Sequence, residues 1–101
     1  MTTFLFSYRM PTGYTPGRPD AMAAWRSFFE GIGDDLLDTG NPVFESSALG
    51  NCGPDTTLGG YSLVQAENLD AAVALAGACP GMAEGGGVEV GVITVLGGGP
   101  Q

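Results

Sequence analysis

Two glutamates at strand-like positions are the residues of this 101-residue chain best suited to chemistry. Glu45 and Glu89 each lie in a short segment rich in β-favouring residues. A carboxylate buried in a sheet has a raised pKa and can serve as a general acid or base. An exposed strand face or a dimer rim is the more common setting, because buried unpaired carboxylates are rare. Tyr8 and Tyr61 are the candidate hydrogen-bond donors for such proton transfer, with simple packing as the alternative.

An anion anchor and an apolar wall would complete a ligand site around these residues. Arg9 ends the first predicted strand, and a guanidinium can bind a carboxylate through two parallel hydrogen bonds. Its alternative role is an ordinary ion pair with one of the 11 acidic residues. Trp25 and Phe29, on the first predicted helix, belong either to the core or to the wall of a cleft between helix and sheet. Phe44 and Tyr61 would shape the same cleft from the strands.

The composition of the chain excludes several kinds of site. It has no His and no Lys, and 3 Arg against 11 Asp and Glu give a net charge of -8. Ser-His and Cys-His catalysis, His-ligated zinc, a P-loop lysine and a Schiff base are therefore excluded. Cys52 and Cys79 alone form no metal site, so we expect neither a metal nor a cofactor. We expect no nucleic acid and no membrane as partner, because an acidic surface repels phosphate groups.

The N-terminus and the hydropathy pattern bear on location. The first residues lack a basic segment followed by a long apolar one, and no apolar run reaches the length of a membrane span. We therefore expect a cytoplasmic protein.

Six elements are expected to position the candidate residues, in the order β-α-β-β-α-β. This order is that of a ferredoxin-like α+β fold, a four-stranded antiparallel sheet with two helices on one face. One domain over residues 1–101 accommodates it, and we expect residues 97–101 to fray. The predicted strands cover 3–9, 42–48, 58–66 and 88–96, and the predicted helices cover 20–38 and 68–79.

The two predicted helices differ in their surface patterns. Glu30, Asp34 and Asp38 recur along the first helix, which indicates a solvated face, with docking of a basic partner or weak binding of a divalent cation as alternatives. Glu67 or Asn68 can cap the start of the second helix. The apolar stripe of the first helix advances by three and four residues through Met22, Trp25, Phe29, Ile32 and Leu36.

The first strand is apolar on both faces, because Phe4, Phe6 and Tyr8 alternate with Leu5 and Ser7. Two helices can cover one face of a four-stranded sheet, so the other face would expose a large apolar patch. Charged residues make up 14% of the chain against an average of about 25%, which also indicates a covered surface. We therefore predict a homodimer with its sheets packed face to face.

Four short stretches in the second half of the chain form a family pattern: LGGY at 58–61, AENLDAA at 66–72, Cys79-Pro80 and GVEV at 87–90. Over this third of the chain the sequence resembles the YCII-related family, in the branch named for an Asp-Gly-Pro-Phe (DGPF) signature. The resemblance implies a dimeric α+β barrel. The signature is reduced here to Cys52-Gly53-Pro54-Asp55, and the His-Asp pair ascribed to some members has no counterpart, because the chain has no His.

Two kinds of function remain open, and they leave open whether the protein is an enzyme. The first is a YCII-like homodimer of unassigned activity that binds a small, partly apolar anionic metabolite between sheet and helices. Arg9 would hold the anion, and Glu45 or Glu89 would transfer protons in a lyase-, isomerase- or cyclase-type step. The second is a non-catalytic regulatory or protein-interaction dimer that uses the acidic helix face. A pocket filled by side chains would favour the second.

Overall fold

The computed structural model describes residues 1–96 as an α+β fold with one four-stranded antiparallel sheet and two helices. The tail 97–101, for which fraying is expected, lies outside the described residues. The strands lie in the order β2-β3-β1-β4, so β1 is hydrogen-bonded on both sides. The elements are β1 (Thr2–Pro11), α1 (Pro19–Ile32), β2 (Leu36–Asp38), β3 (Thr56–Ala66), α2 (Leu69–Ala76) and β4 (Gly87–Val92), with short 3-10 turns over Gly33–Asp35 and Pro80–Met82.

The core lies against one face of the sheet. Phe4, Phe6 and Tyr8 of β1 point to that face, because successive strand residues alternate, and none is more than 4% exposed. Burying each large apolar side chain contributes about 1.5–3 kcal/mol, so this row is a main source of stability. Buried side chains from both helices join the same cluster, namely Phe28 and Ile32 from α1 and Ala72 and Ala76 from α2.

Helix α1 ends at Ile32, well before the predicted end at residue 38. Gly33 follows with φ 68° and ψ -134°, a conformation almost restricted to glycine, and its N–H donates to the Phe29 carbonyl. The chain then leaves the helix, and Leu36 pairs with Val64 of β3. The predicted helix over 20–38 is therefore wrong at its C-terminal end, where a short turn and strand β2 replace it.

The predicted strand over 42–48 is wrong as well. Pro42 makes an isolated bridge to Gly60, and the residues after it are irregular and mostly exposed. Proline has no N–H to continue a ladder, and β2 already occupies the place beside β3.

The other predicted elements are present with shifted ends. Strands β1 and β3 are longer than predicted, and β4 ends at Val92 rather than at residue 96. Helix α2 ends at Ala76 rather than at residue 79. The predicted cap is confirmed at Asn68, whose Oδ1 accepts a hydrogen bond of 2.8 Å from the N–H of Ala71.

The buried stripe of α1 is rotated from the predicted one. Ala21 and Ile32 are buried together with Phe28, whereas Met22 is 54% exposed. Trp25 and Phe29 are half-buried at the edge of the core. Both the predicted and the observed stripe have helical spacing. The prediction chose Met22 over Ala21 because methionine is the larger apolar side chain.

The second face of the sheet has a narrow apolar centre. Leu5 of β1 pairs there with Leu63 of β3, and both are half-buried. Ser7, next on the same face, pairs with Tyr61 on one side and with Glu89 on the other. Polar groups therefore flank the two leucines on this face.

Replacing Gly33 with Ala should destabilise the protein, whereas the same change at Gly31 should stabilise it. Gly33→Ala places a side chain on a backbone conformation that costs about 1–3 kcal/mol. Gly31 lies in α1, exposed, where a Cβ would meet no atom within 4 Å. Gly31→Ala should therefore raise the free energy of unfolding by about 0.5–1 kcal/mol.

Urea unfolding followed by circular dichroism measures both changes. If the helix continued to residue 38, both glycines would be interior helix positions and both substitutions would stabilise. That result would contradict the helix end at Ile32.

Candidate functional site

A cavity of about 530 Å³ opens between helix α1, the C-terminal half of β1 and the irregular segment 39–44. Its walls come from five parts of the chain, because the loop before α1 and the middle of β3 also contribute. Six aromatic side chains line it, which gives it a mostly apolar interior: Tyr8, Tyr14, Trp25, Phe29, Phe44 and Tyr61.

Trp25 is the centre of the aromatic wall. Its ring lies 4.8 Å from the ring of Tyr8, centroid to centroid, at an interplanar angle of 76°. On its other side the ring of Phe29 lies 5.8 Å away. Edge-to-face packing of this kind is favourable beyond the area it buries, and it holds the indole in place. The core thus continues into the cavity wall without a break.

A β-bulge and two close backbone contacts form the opposite wall. Tyr8 pairs with Gly60 but Arg9 pairs with Leu58, so Gly59 is the extra residue of a bulge. The Gly59 carbonyl then accepts a hydrogen bond of 3.0 Å from the N–H of Val43, which ties segment 39–44 to β3.

Gly40 makes this contact sterically feasible. A Cβ on Gly40 would overlap the carbonyl oxygen of Tyr61, and one on Gly60 would lie 2.9 Å from the carbonyl oxygen of Asn41. Gly40 also has φ 73°, which L side chains rarely adopt. The two glycines therefore allow the segment to lie directly on the strand and close the cavity at that side.

A hydrogen-bond chain fixes the polar end of Tyr8. The Tyr8 hydroxyl donates to Ser62 Oγ at 2.9 Å, and Ser62 Oγ donates to the Thr39 carbonyl at 2.7 Å. Burial raises the pKa of Tyr8 to about 12, so the phenol stays neutral at physiological pH. Its proton is committed to Ser62, which removes Tyr8 as the predicted hydrogen-bond donor to a ligand.

Tyr61 is differently arranged at the rim of the cavity. It is 36% exposed, and its hydroxyl accepts a hydrogen bond of 3.2 Å from Asn41 Nδ2. An accepting hydroxyl still has its own proton to donate. Of the two predicted donors, Tyr61 is the one with a proton free for a ligand, although its pairing with Ser7 places its side chain on the second face of the sheet, at the edge of the cavity.

Arg26 is the arginine of this cavity. It lies on α1, is exposed and lines the cavity together with Glu30. Within residues 1–96 the structure shows no ion pair and no side-chain hydrogen bond for it. Arg18 is committed elsewhere, since its guanidinium contacts Glu84 at 2.6 Å and lies 5.7 Å from the centre of the Tyr14 ring.

Arg9, the predicted anion anchor, lies outside the cavity lining. It follows Tyr8 on β1 and so points to the opposite face of the sheet. Its Nε donates to Thr56 Oγ1 at 3.1 Å, and its NH2 group donates to the carbonyls of Thr56 at 2.8 Å and Cys52 at 3.0 Å. Arg9 is therefore bound to the chain that enters β3. Arg26, and not Arg9, is the arginine that lines the cavity.

The two predicted catalytic carboxylates lie outside the lining of the aromatic cavity. Glu45 lies in the irregular segment after Phe44 and is exposed. Glu89 lies on β4 opposite Ser7, on the face of the sheet away from the cavity, and is also exposed. Both carboxylates are therefore exposed, which is the alternative that the sequence analysis gave to a buried carboxylate. The other five predicted binding residues line the cavity: Tyr8, Trp25, Phe29, Phe44 and Tyr61.

Several cavity residues were missed from the sequence, among them Tyr14, Arg26, Glu30 and Asn41. Arg26 and Glu30 follow Trp25 and Phe29 directly, so they flank the aromatic stripe, and that position was the usable signal. Tyr14 lies in a turn-rich loop whose path the sequence does not indicate.

The acidic residues predicted to share one face of the first helix lie in three different elements. Because α1 ends at Ile32, Asp34 lies in the following 3-10 turn and Asp38 lies in β2. Asp38 Oδ1 accepts a hydrogen bond of 2.8 Å from the Gly40 N–H, which gives this carboxylate a local structural role.

In the described part of the chain, no three His, Cys, Asp or Glu side chains are grouped so that they could hold a metal ion. No helix among residues 1–96 has both the length and the apolarity to cross a membrane. Comparisons with protein-family models, with curated proteins and with solved structures find no match.

Gly40→Ala should destabilise the protein more than Gly50→Ala. Both glycines have φ 73°, so both substitutions carry the same kind of backbone strain, about 1–3 kcal/mol. A Cβ at position 50 meets no atom within 4 Å, whereas one at position 40 meets the Tyr61 carbonyl. The overlap should cost about 1–3 kcal/mol more.

Urea unfolding of the two variants gives this difference directly. Equal losses of stability would mean that segment 39–44 does not lie against β3, and the cavity wall as described would be wrong.

Proposed function

We propose that the protein is a small-molecule-binding domain whose cavity takes a partly apolar, anionic metabolite. The observation that carries the proposal is an aromatic cavity of about 530 Å³ with Arg26 at its mouth. Small-molecule sites have volumes of about 300–1,000 Å³, mostly apolar walls and a few polar groups that orient the ligand. The cavity fits this description, with Arg26, Tyr61 and Asn41 as its polar groups.

Arg26 is the proposed anchor of the anionic group. A guanidinium with no partner among residues 1–96 can form a bidentate contact with a carboxylate. The apolar part of the ligand would lie on Trp25 and Phe29 and under Phe44, which is 73% exposed and has surface left to cover. Covering apolar surface contributes about 25 cal/mol per Å².

Proton transfer is the class of reaction that the cavity residues could support, as lyase-, isomerase- or cyclase-type chemistry. Tyr61 and Glu30 line the cavity and carry groups that can exchange protons. Glu45 and Glu89 lie outside it, so they have no part in this proposal.

We also propose a ferredoxin-like topology and a YCII-related dimeric barrel. The element order β-α-β-β-α-β with strand order β2-β3-β1-β4 supports the topology. Leu5 and Leu63, paired at the centre of the second sheet face, support a second copy there. A cytoplasmic location is supported by Cys52 and Cys79, which are both free thiols. The alternative, a regulatory or protein-interaction dimer, loses support because α1 carries no continuous acidic face.

The binding proposal is tested with anilinonaphthalene sulfonate, an apolar anion. Trp25 is the single tryptophan of the chain and lines the cavity, so its fluorescence should fall as the probe binds. Arg26→Gln should weaken the affinity for the probe about three- to tenfold, because it removes one partly exposed charged hydrogen bond. Arg9→Gln removes the same charge on the other sheet face and should leave the affinity unchanged.

Failure of the probe to quench Trp25 would refute a ligand cavity of this kind. Equal weakening by Arg9→Gln and Arg26→Gln would mean that net charge, and not a contact with Arg26, governs binding.

The dimer is tested by native mass spectrometry at low micromolar concentration. The wild-type protein should be a dimer, and Leu63→Glu should be a monomer, because a charge would enter the apolar centre of the interface. Val73→Glu is the control, since Val73 is 51% exposed and lies on α2, which packs against the other face of the sheet. A monomeric wild-type protein would remove the barrel proposal and leave the cavity unaffected.

A further inference from the structure

The mouth of the cavity carries two opposite charges on one side of α1. Arg26 and Glu30 are four residues apart, which places them on the same side of the helix, and both line the cavity. Both are exposed. Within residues 1–96 neither has an ion pair, with the other or with a third residue. The two charges therefore face one ligand space without neutralising each other.

We propose that the ligand is zwitterionic, an amino acid with a bulky apolar side chain. Its carboxylate would bind Arg26, its ammonium group would bind Glu30, and its side chain would enter the aromatic cavity. This inference rests on the proposed function, and it adds the positive group to the ligand. A ligand with one negative group would satisfy Arg26 and leave Glu30 beside it without a partner.

The charge of the whole protein favours a zwitterion over a simple anion. The chain has a net charge of -8, and this field opposes the approach of any net-negative ligand. A zwitterion has no net charge, so it avoids that repulsion and still offers a carboxylate to Arg26. Salt screens long-range repulsion. Added salt should therefore strengthen the binding of a simple anion and change the binding of a zwitterion much less.

The aromatic walls suit the side chain of such a ligand. Trp25 and Phe29 line the cavity and present apolar surface to a side chain of matching chemistry. The ring of Tyr14 also lines the cavity, but the Arg18 guanidinium already lies 5.7 Å from its centre, so the ammonium group is assigned to Glu30 alone.

Three compounds that each carry a phenyl ring test the two charged contacts separately. Phenylalanine has both groups, phenylpropionate lacks the ammonium group, and phenylethylamine lacks the carboxylate. Titration against Trp25 fluorescence, with amide chemical shifts as a second readout, gives an affinity for each. Phenylalanine should bind about five- to tenfold more tightly than either single-charge compound, because it makes one more charged contact.

Charge-removing variants assign each group to its residue. Glu30→Gln should weaken phenylalanine and phenylethylamine about three- to tenfold and leave phenylpropionate as tight or tighter. Arg26→Gln should weaken phenylalanine and phenylpropionate and spare phenylethylamine. Asp34→Asn is the matched control, since it removes an equal charge outside the cavity lining and should change none of the three.

Three results would overturn the inference, and they distinguish its failure from the failure of the proposed function. If phenylpropionate binds as tightly as phenylalanine and Glu30→Gln has no effect, the zwitterion is wrong while the anion-binding cavity stands. If phenylethylamine binds most tightly, the cavity is a cation site, and both the zwitterion and the anionic metabolite are wrong. If neither these compounds nor anilinonaphthalene sulfonate affects Trp25, the proposed function fails with the inference.

Discussion

The buried row of β1 is the constraint from which both the core and the cavity follow. Phe4 and Phe6 face both helices from the central strand of the sheet and are almost inaccessible to solvent. Tyr8 continues the row, but its hydroxyl requires a hydrogen-bond partner when buried, and Ser62 provides it. The row is therefore purely apolar at Phe4 and Phe6 and ends in a buried, hydrogen-bonded hydroxyl at Tyr8. The cavity begins at that residue, where α1 and the sheet no longer fill the space between them with side chains.

The same polar end connects the core to the segment that closes the cavity. Ser62 accepts a hydrogen bond from the Tyr8 hydroxyl and donates one to the carbonyl of Thr39, directly before Gly40. Gly40 and Gly60 then permit the backbone to lie against β3, and the bulge at Gly59 supplies a carbonyl to Val43. A phenylalanine at position 8 would pack equally well and would leave Ser62 without its donor. The wall of the cavity therefore depends on a polar group inside the core.

Periodicity predicted the elements whose one face is buried and whose ends carry clear signals. β1, β3 and α2 were found because aromatic alternation and the Asn68 cap are local features. β2 was missed because it is three residues long and follows a helix whose apolar spacing runs on to Leu36. Helix α1 ends because Gly33 adopts a positive φ. The sequence has glycines at positions 31 and 33, and it does not show which of them adopts that conformation. Phe44 lines the cavity although it lies in an irregular segment and not in the strand predicted for it.

The three arginines differ in their partners, and this difference is why Arg26 stands out. Eleven acidic residues offer partners everywhere, and Arg18 has taken one in Glu84. Arg9 has instead taken backbone carbonyls on the far side of the sheet, a role that depends on the path of the chain before β3. In so acidic a chain, Arg26 is unusual in having no such partner among residues 1–96. Glu30 lies one turn further along α1 and is also unpaired, so two opposite charges line the cavity side by side, and both are exposed to a ligand.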